Sequence, residues 1–253
     1  MRLLLSLLLA LAGLAAPAPP AAAAPIADYL AVGTATLTIT AISSTTDLVI
    51  TIDPLFMDPE FNIIEDVATD GSGNHDALAE ASAALNAFDP FDVRVGDSLV
   101  ATASVGGFVD GPSSSTAESS SLPIIGLTMD NTASLVPVTV SFDVSYSLSA
   151  SASAQAPASQ NALAYADVFV DTAVNPAFRD AATADTLEGD PPILTEETVS
   201  FVLPVGAGEI GQLTFSTGAF GAADLAVPEP SATALWLVGA LTLAAARRAR
   251  RAS

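Results

Sequence analysis

The chain has 253 residues, with 28 acidic side chains against 7 basic ones, a single histidine and no cysteine. Residues 28–226 hold 27 of the acids and two cations, Arg94 and Arg179, a formal charge of −25. Such a field repels nucleic acid and anionic lipid, and the missing cysteine excludes a disulfide framework, thiol chemistry and an acylated N-terminal cysteine.

Met1-Arg2 is a short basic start, Leu3 to Leu14 a leucine-rich apolar run, and Ala15 to Ala24 a small-residue stretch. This order makes residues 1–24 a signal peptide, helical in its apolar part, with signal peptidase cutting among Ala21 to Ala24. The body then spans residues 28–226, enough for one ordinary domain.

Thr34 to Ile42 alternates Thr with apolar residues, and Asp47 to Asp53 places Leu48, Ile50 and Ile52 on one face; both predict strands. An acidic loop follows from Pro54 to Asp70. Asp76 to Phe88 predicts the one short helix of the body, with Leu78, Ala81, Leu85 and Phe88 along one side and Asn74 or Asp76 as cap. Phe91–Val95, Leu99–Val105 and Gly107–Val109 read as strands between glycine turns. Gly111 to Ser121 is serine-rich and reads as a surface loop or hinge.

Pro137 to Ser149 has the sharpest pattern in the chain. Val138, Val140, Phe142, Val144, Tyr146 and Leu148 face one way, and Thr139, Ser141, Asp143, Ser145 and Ser147 the other. One dry and one wet face indicate an antiparallel sheet. Leu163–Val170, Val199–Val205 and Leu213–Phe220 add further strands, with a second acidic loop over Pro176–Thr195. Eight or nine strands, Gly/Pro turns and missing helical crossovers predict an all-β antiparallel β-sandwich, jelly-roll-like in its simplest form. A two-lobed body hinged at residues 111–121 is the alternative.

After Ala226 the character changes. Pro228 and Pro230 remove two backbone donors and hold Val227 and Glu229 extended. Residues 231–246 are apolar, about 24 Å as a helix against a hydrocarbon core of about 30 Å. Arg247, Arg248, Arg250 and Arg251 close the run and would keep that end in the cytoplasm.

Two internal motifs carry chemistry. Gly96-Asp97-Ser98-Leu99 spells the block that holds the nucleophile of GDSL esterases. A serine nucleophile needs an imidazole base within hydrogen-bond reach, and the chain's one histidine, His75, lies upstream of the block rather than downstream. The block therefore reads as a strand–turn–strand corner. Asp70, Ser72, Asn74 and Asp76 place oxygen atoms at alternate positions of a glycine-rich turn, a pattern that suits Ca²⁺. It departs from an EF-hand, because His75 takes the glycine position and Ala81 that of the closing glutamate. A solvated loop capping the next element competes with the calcium reading.

Residues 227–251, with Pro228-Glu229-Pro230, the apolar run and the arginine cluster in unbroken order, resemble the PEP-CTERM sorting tail, the substrate signal of exosortases. The resemblance implies a Gram-negative bacterium and a precursor held transiently in the inner membrane. It also implies recognition and cutting by an exosortase, and delivery to the cell surface or extracellular matrix. The body shows acidity, strands and no catalytic set. Together these lead to a non-enzymatic surface or matrix protein with a structural, biofilm- or exopolysaccharide-associated role. A secreted carbohydrate- or calcium-binding β-sandwich module is the alternative. No cofactor is expected beyond Ca²⁺.

Overall fold

The structure, a computed structural model, describes residues 26–44, 48–52, 63–69, 74–86, 93–110, 115–155, 160–172 and 176–225. Residues 1–24, read above as a signal peptide, and the tail with Pro228-Glu229-Pro230, the apolar run and the arginine cluster lie outside these residues.

Twelve strands run in order: β1 Ile26–Ile42, β2 Val49–Ile52, β3 Ile63–Thr69, β4 Asn74–Asn86, β5 Ser98–Asp110, β6 Ser115–Ser121, β7 Ile124–Asp130, β8 Val138–Ala154, β9 Gln160–Thr172, β10 Pro176–Asp185, β11 Ile193–Val205 and β12 Ile210–Leu225. All pairings are antiparallel. Sheet A has the order β11-β8-β1-β5-β4, and sheet B the order β10-β9-β12-β6-β3. Strand β12 pairs with β7 through Ile210–Ser216 and with β6 through Ala219–Leu225, so β6 and β7 form one long neighbour interrupted at Leu122-Pro123. Strand β2 pairs outside β7.

The sheets stack strand over strand. β8 lies against β9 and β10, β1 against β9 and β12, β5 against β12 and β6, and β4 against β6 and β3. This is a sandwich-like all-β body. The pattern expected in β8 is present: Val138, Val140, Phe142, Val144, Tyr146 and Leu148 are buried and the residues between them are not.

Register fixes two ends. Ile26 sits opposite Asp110, where β5 ends, and Leu225 sits opposite Ser115, where β6 begins. The first and last described residues therefore leave from one end, the base. The starts of β5, β8 and β12 form the other end, the apex. A strand of 17 residues, such as β1, spans roughly 58 Å. Bulky side chains, including Leu37, Ile50, Met129, Phe142, Leu213 and Phe215, fill the apical core. Towards the base, alanines such as Ala27, Ala31, Ala150, Ala162 and Ala164 take their place, with Tyr29 among them.

Several expectations need correction. The helix placed over Asp76–Phe88 does not form: Asn74–Asn86 is strand β4, paired with β5 over thirteen positions. Alanine favours helix only by tenths of a kcal/mol per residue, and pairing with a committed neighbour outweighs that preference. Leu78 and Ala81, expected on one side, lie on opposite faces of the strand. The hinge over residues 111–121 is largely strand β6, held between β12 and β3. Residues 63–69 and 176–185, assigned to acidic loops, are β3 and β10. Val93–Val95 is irregular chain rather than strand, although Val93 is buried and its N–H donates to the Ile50 carbonyl.

Candidate functional site

On the outer face of sheet B, strand β9 projects Tyr165, Asp167 and Phe169 at alternate positions. Asp167 is buried, with 6% of its surface exposed, although Tyr165 and Phe169, which flank it on this face, are only half-buried. Its cross-strand neighbours explain this. Gly218 of β12 pairs with Asp167, and a Cβ at Gly218 would collide with the Asp167 carboxylate. On the other side Ala181 of β10 pairs with it and leaves room above.

Burying a carboxylate is costly unless it is hydrogen-bonded and paired. Asp167 Oδ2 accepts from Arg179 Nη2 at 3.1 Å and from the Tyr165 hydroxyl at 3.1 Å. Arg179 Nη2 also donates to the Tyr165 hydroxyl at 3.3 Å. Arg179 stands opposite Phe169 on β10, one diagonal step from Asp167. Burial pushes the Tyr165 phenol above its usual range, and the Asp167 carboxylate adds to this while Arg179 opposes it. The guanidinium is held charged, first by its bond to Tyr165 and then by Asp167. Leu122, Phe169, Asp171, Phe178 and Arg179 wall a pocket of about 380 Å³ with Asp167 at its floor.

A second polar group lies where the two sheets meet at β10 and β11. The Tyr146 hydroxyl donates to Asp180 Oδ2 at 2.6 Å, with Glu197 Oε2 at 3.3 Å, and its ring packs on Phe178 with centroids 5.4 Å apart. Burial, then the bond to Asp180, pushes this phenol far above its usual range.

The motifs singled out in the sequence separate in space. Ser98 opens β5 at the apex, opposite Asn86, whereas His75 pairs with Val109 at the base. Eleven residues of strand, roughly 37 Å, lie between them. Gly96 has a φ of 94°. Asp97 Oδ2 accepts the Arg94 N–H at 2.8 Å, which makes the block a turn leading into a strand. Of the candidate calcium ligands, Asp70 and Ser72 lie outside the described residues. Asn74 and Asp76 open β4, and the Asn74 N–H donates to Asp110 Oδ1 at 3.2 Å. Asp76 shares a basal depression of about 480 Å³ with Asp28 and Asp110. Among the described residues no three acidic or histidine side chains are grouped closely enough to hold a metal ion.

Sequence reading missed the Asp167 pocket because it needs the β9–β10 pairing. Its signal was an aspartate between Tyr165 and Phe169 on one strand face, with one of the body's two arginines twelve residues later.

No known protein family matches the chain, and no curated protein does. Among solved structures, the secreted serine protease VesC from Vibrio cholerae aligns at 8% identity over 79% of this chain and 47% of that one, with a TM-score of 0.11. The chain spans about half the length of that protein, and a score so low carries no argument about fold or activity.

Proposed function

We propose that this protein is exported, processed by an exosortase and displayed at the surface or in the extracellular matrix of a Gram-negative bacterium, in a structural or exopolysaccharide-associated role. The observation that carries this reading is the order of the tail after β12: Pro228-Glu229-Pro230, the apolar run 231–246 and four arginines. The fold suits it. Strand β12 ends at Leu225, three residues before Pro228, so the sorting motif follows the body directly. Ile26 leaves from the same end. A body tethered there points its apical turns away from the membrane.

The jelly-roll reading rests on strand order. It is supported by the order β11-β8-β1-β5 over β10-β9-β12-β6, which matches two facing four-stranded sheets with the first strand, β1, in the slot a jelly-roll usually fills with its last. The signal and membrane segments are proposed as helices on their sequence alone.

The decisive experiment is mass spectrometry of the mature C-terminus. Glu229→Ala, or loss of the exosortase, should leave an uncleaved precursor in the inner membrane. Surface protein that still carries Trp236 and the arginine cluster would refute the processing. The alternative, a secreted saccharide- or calcium-binding module, is favoured by one observation, the Asp167 pocket on sheet B.

A further inference from the structure

We propose that the pocket floored by Asp167 and walled by Phe169, Asp171 and Arg179 is a binding site for a neutral saccharide. The proposal rests on the carbohydrate-binding reading and names its site and ligand class.

Three features of the pocket point the same way. The first is donor and acceptor placement. Arg179 uses Nη2 alone for its bonds to Asp167 and Tyr165, and its side chain lines the pocket and is 66% exposed, which leaves donors accessible to a ligand. Asp171 is exposed on the same strand as Asp167 and adds acceptors. A guanidinium beside a carboxylate presents donors and acceptors together, as a pair of adjacent sugar hydroxyls requires.

The second feature is apolar. Phe169 lies directly opposite Arg179. Leu122 closes over Gly218 from the β6–β7 break and adds a second apolar side chain. A sugar ring offers a face of C–H groups to such a surface while its hydroxyls reach the polar rim. The pocket, about 380 Å³, falls in the size range of small-ligand sites.

The third is charge, which selects among ligands. The body carries a formal −25, and the pocket itself holds two aspartates against one arginine. An anionic ligand would gain Arg179 but meet Asp167, Asp171 and the field of the whole body. A cationic ligand would be drawn by Asp171 and the field of the body but would meet the Arg179 guanidinium at the pocket itself. A neutral polyol meets neither penalty. The preformed Asp167–Arg179–Tyr165 group also needs no reordering on binding, which lowers the entropic cost.

The test is calorimetric titration of the full chain, purified in a mild detergent, with hexasaccharides of neutral glucan, mannan and galactan. EDTA is present throughout, and oligogalacturonate serves as the anionic probe. At least one neutral hexasaccharide should bind, and oligogalacturonate should bind at least tenfold more weakly. Phe169→Ala should weaken binding tenfold or more with a melting temperature close to that of the parent; Arg179→Met should weaken it as much, with a lower melting temperature because Asp167 then stays buried without its cation. Thr198→Ala, on the outer face of sheet A, should leave binding unchanged. Binding by none of the three neutral probes, preference for the anionic one, or binding that survives both pocket substitutions would overturn the proposal. The sorting reading is scored separately by the mass of the mature C-terminus, so either can fail alone.

Discussion

The hydroxyl of Tyr29 on β1 lies 2.9 Å from the Oγ of Ser119 on β6, a buried bond that joins the two sheets across ninety residues of sequence. The ring reaches that position between two glycines. A Cβ at Gly107 of β5 or at Gly221 of β12 would collide with it. Tyr29 is 3% exposed and Ser119 fully buried.

Gly221→Ala should therefore destabilise the body by overpacking, by about 1–3 kcal/mol. Tyr29→Phe should cost about 1–3 kcal/mol, because it leaves the Ser119 hydroxyl buried without its partner. Thermal unfolding followed by circular dichroism measures both. At roughly 2–4 °C per kcal/mol for a domain of this size, the shifts are readable. A Gly221→Ala protein that melts with the parent would contradict the packing of Tyr29.

All three tyrosines of the chain, Tyr29, Tyr146 and Tyr165, are held above the usual phenol range, in each case mainly by burial. A raised pKa in the folded state means that the unfolded chain loses its proton first as pH rises. The stability from these groups is complete below the unfolded value near 10 and is lost above it, up to the folded values. Tyrosinate absorbance should stay low in the native protein at pH 10 and rise together with unfolding at higher pH. A smooth three-tyrosine titration near pH 10 with the fold intact would count against it.

At the apex, the buried Asn131 amide donates to the Val136 carbonyl at 3.0 Å and to the Gly206 carbonyl at 2.9 Å. It joins the turn after β7 to the turn before β12. Asn131→Ala should cost about 1–3 kcal/mol. Hydrogen exchange should quicken at the Ser134 and Gly208 N–H groups, which both donate to the Asn131 carbonyl, before it quickens in β8. Uniform exchange across both regions would mean that the amide does not brace this end.

Calcium should raise the melting temperature more than sodium chloride of equal ionic strength. General screening acts through any salt, whereas an ion bound only by the folded form stabilises by about 2.7 kcal/mol at one hundred times its dissociation constant. Asp70→Ala combined with Asp76→Ala should abolish the difference. Equal melting temperatures in the two salts would leave the acidity as a surface property alone.

How far these features could be read from sequence depends on which face carries the information. Strand β8 was legible because its inward apolar residues and outward polar residues alternate without a fault. Strand β4 was not, because Ala77, Ala79, Ala81 and Ala83 fit a helix as easily as a strand face, and only the ladder to β5 decides. Strand β6 was hidden by its serines: Ser119 and Ser121 are buried, satisfied by Tyr29 and by the Glu80 carbonyl at 2.6 Å, partners that no local pattern discloses. The Asp167 pocket was obscured in the same way. Its members come from β9, β10 and the β6–β7 break, and Arg179 was lost in what read as an acidic loop.

The position of Leu225 has a mechanical consequence. A pull on the chain beyond β12, resisted at the apex, runs along the strand axes. Ladder bonds in an antiparallel sheet stand perpendicular to the strands, so this load shears them side by side instead of peeling them singly. Strand β12 is gripped by β9 from Leu213 to Leu225 and by β6 from Ala219 to Leu225, so it slides only when both rows give way together. Resistance to such a force is set by the rate of rupture rather than by equilibrium stability. A body fixed by the end of its central strand would act as a stiff tie, carrying tension from its apex to its base.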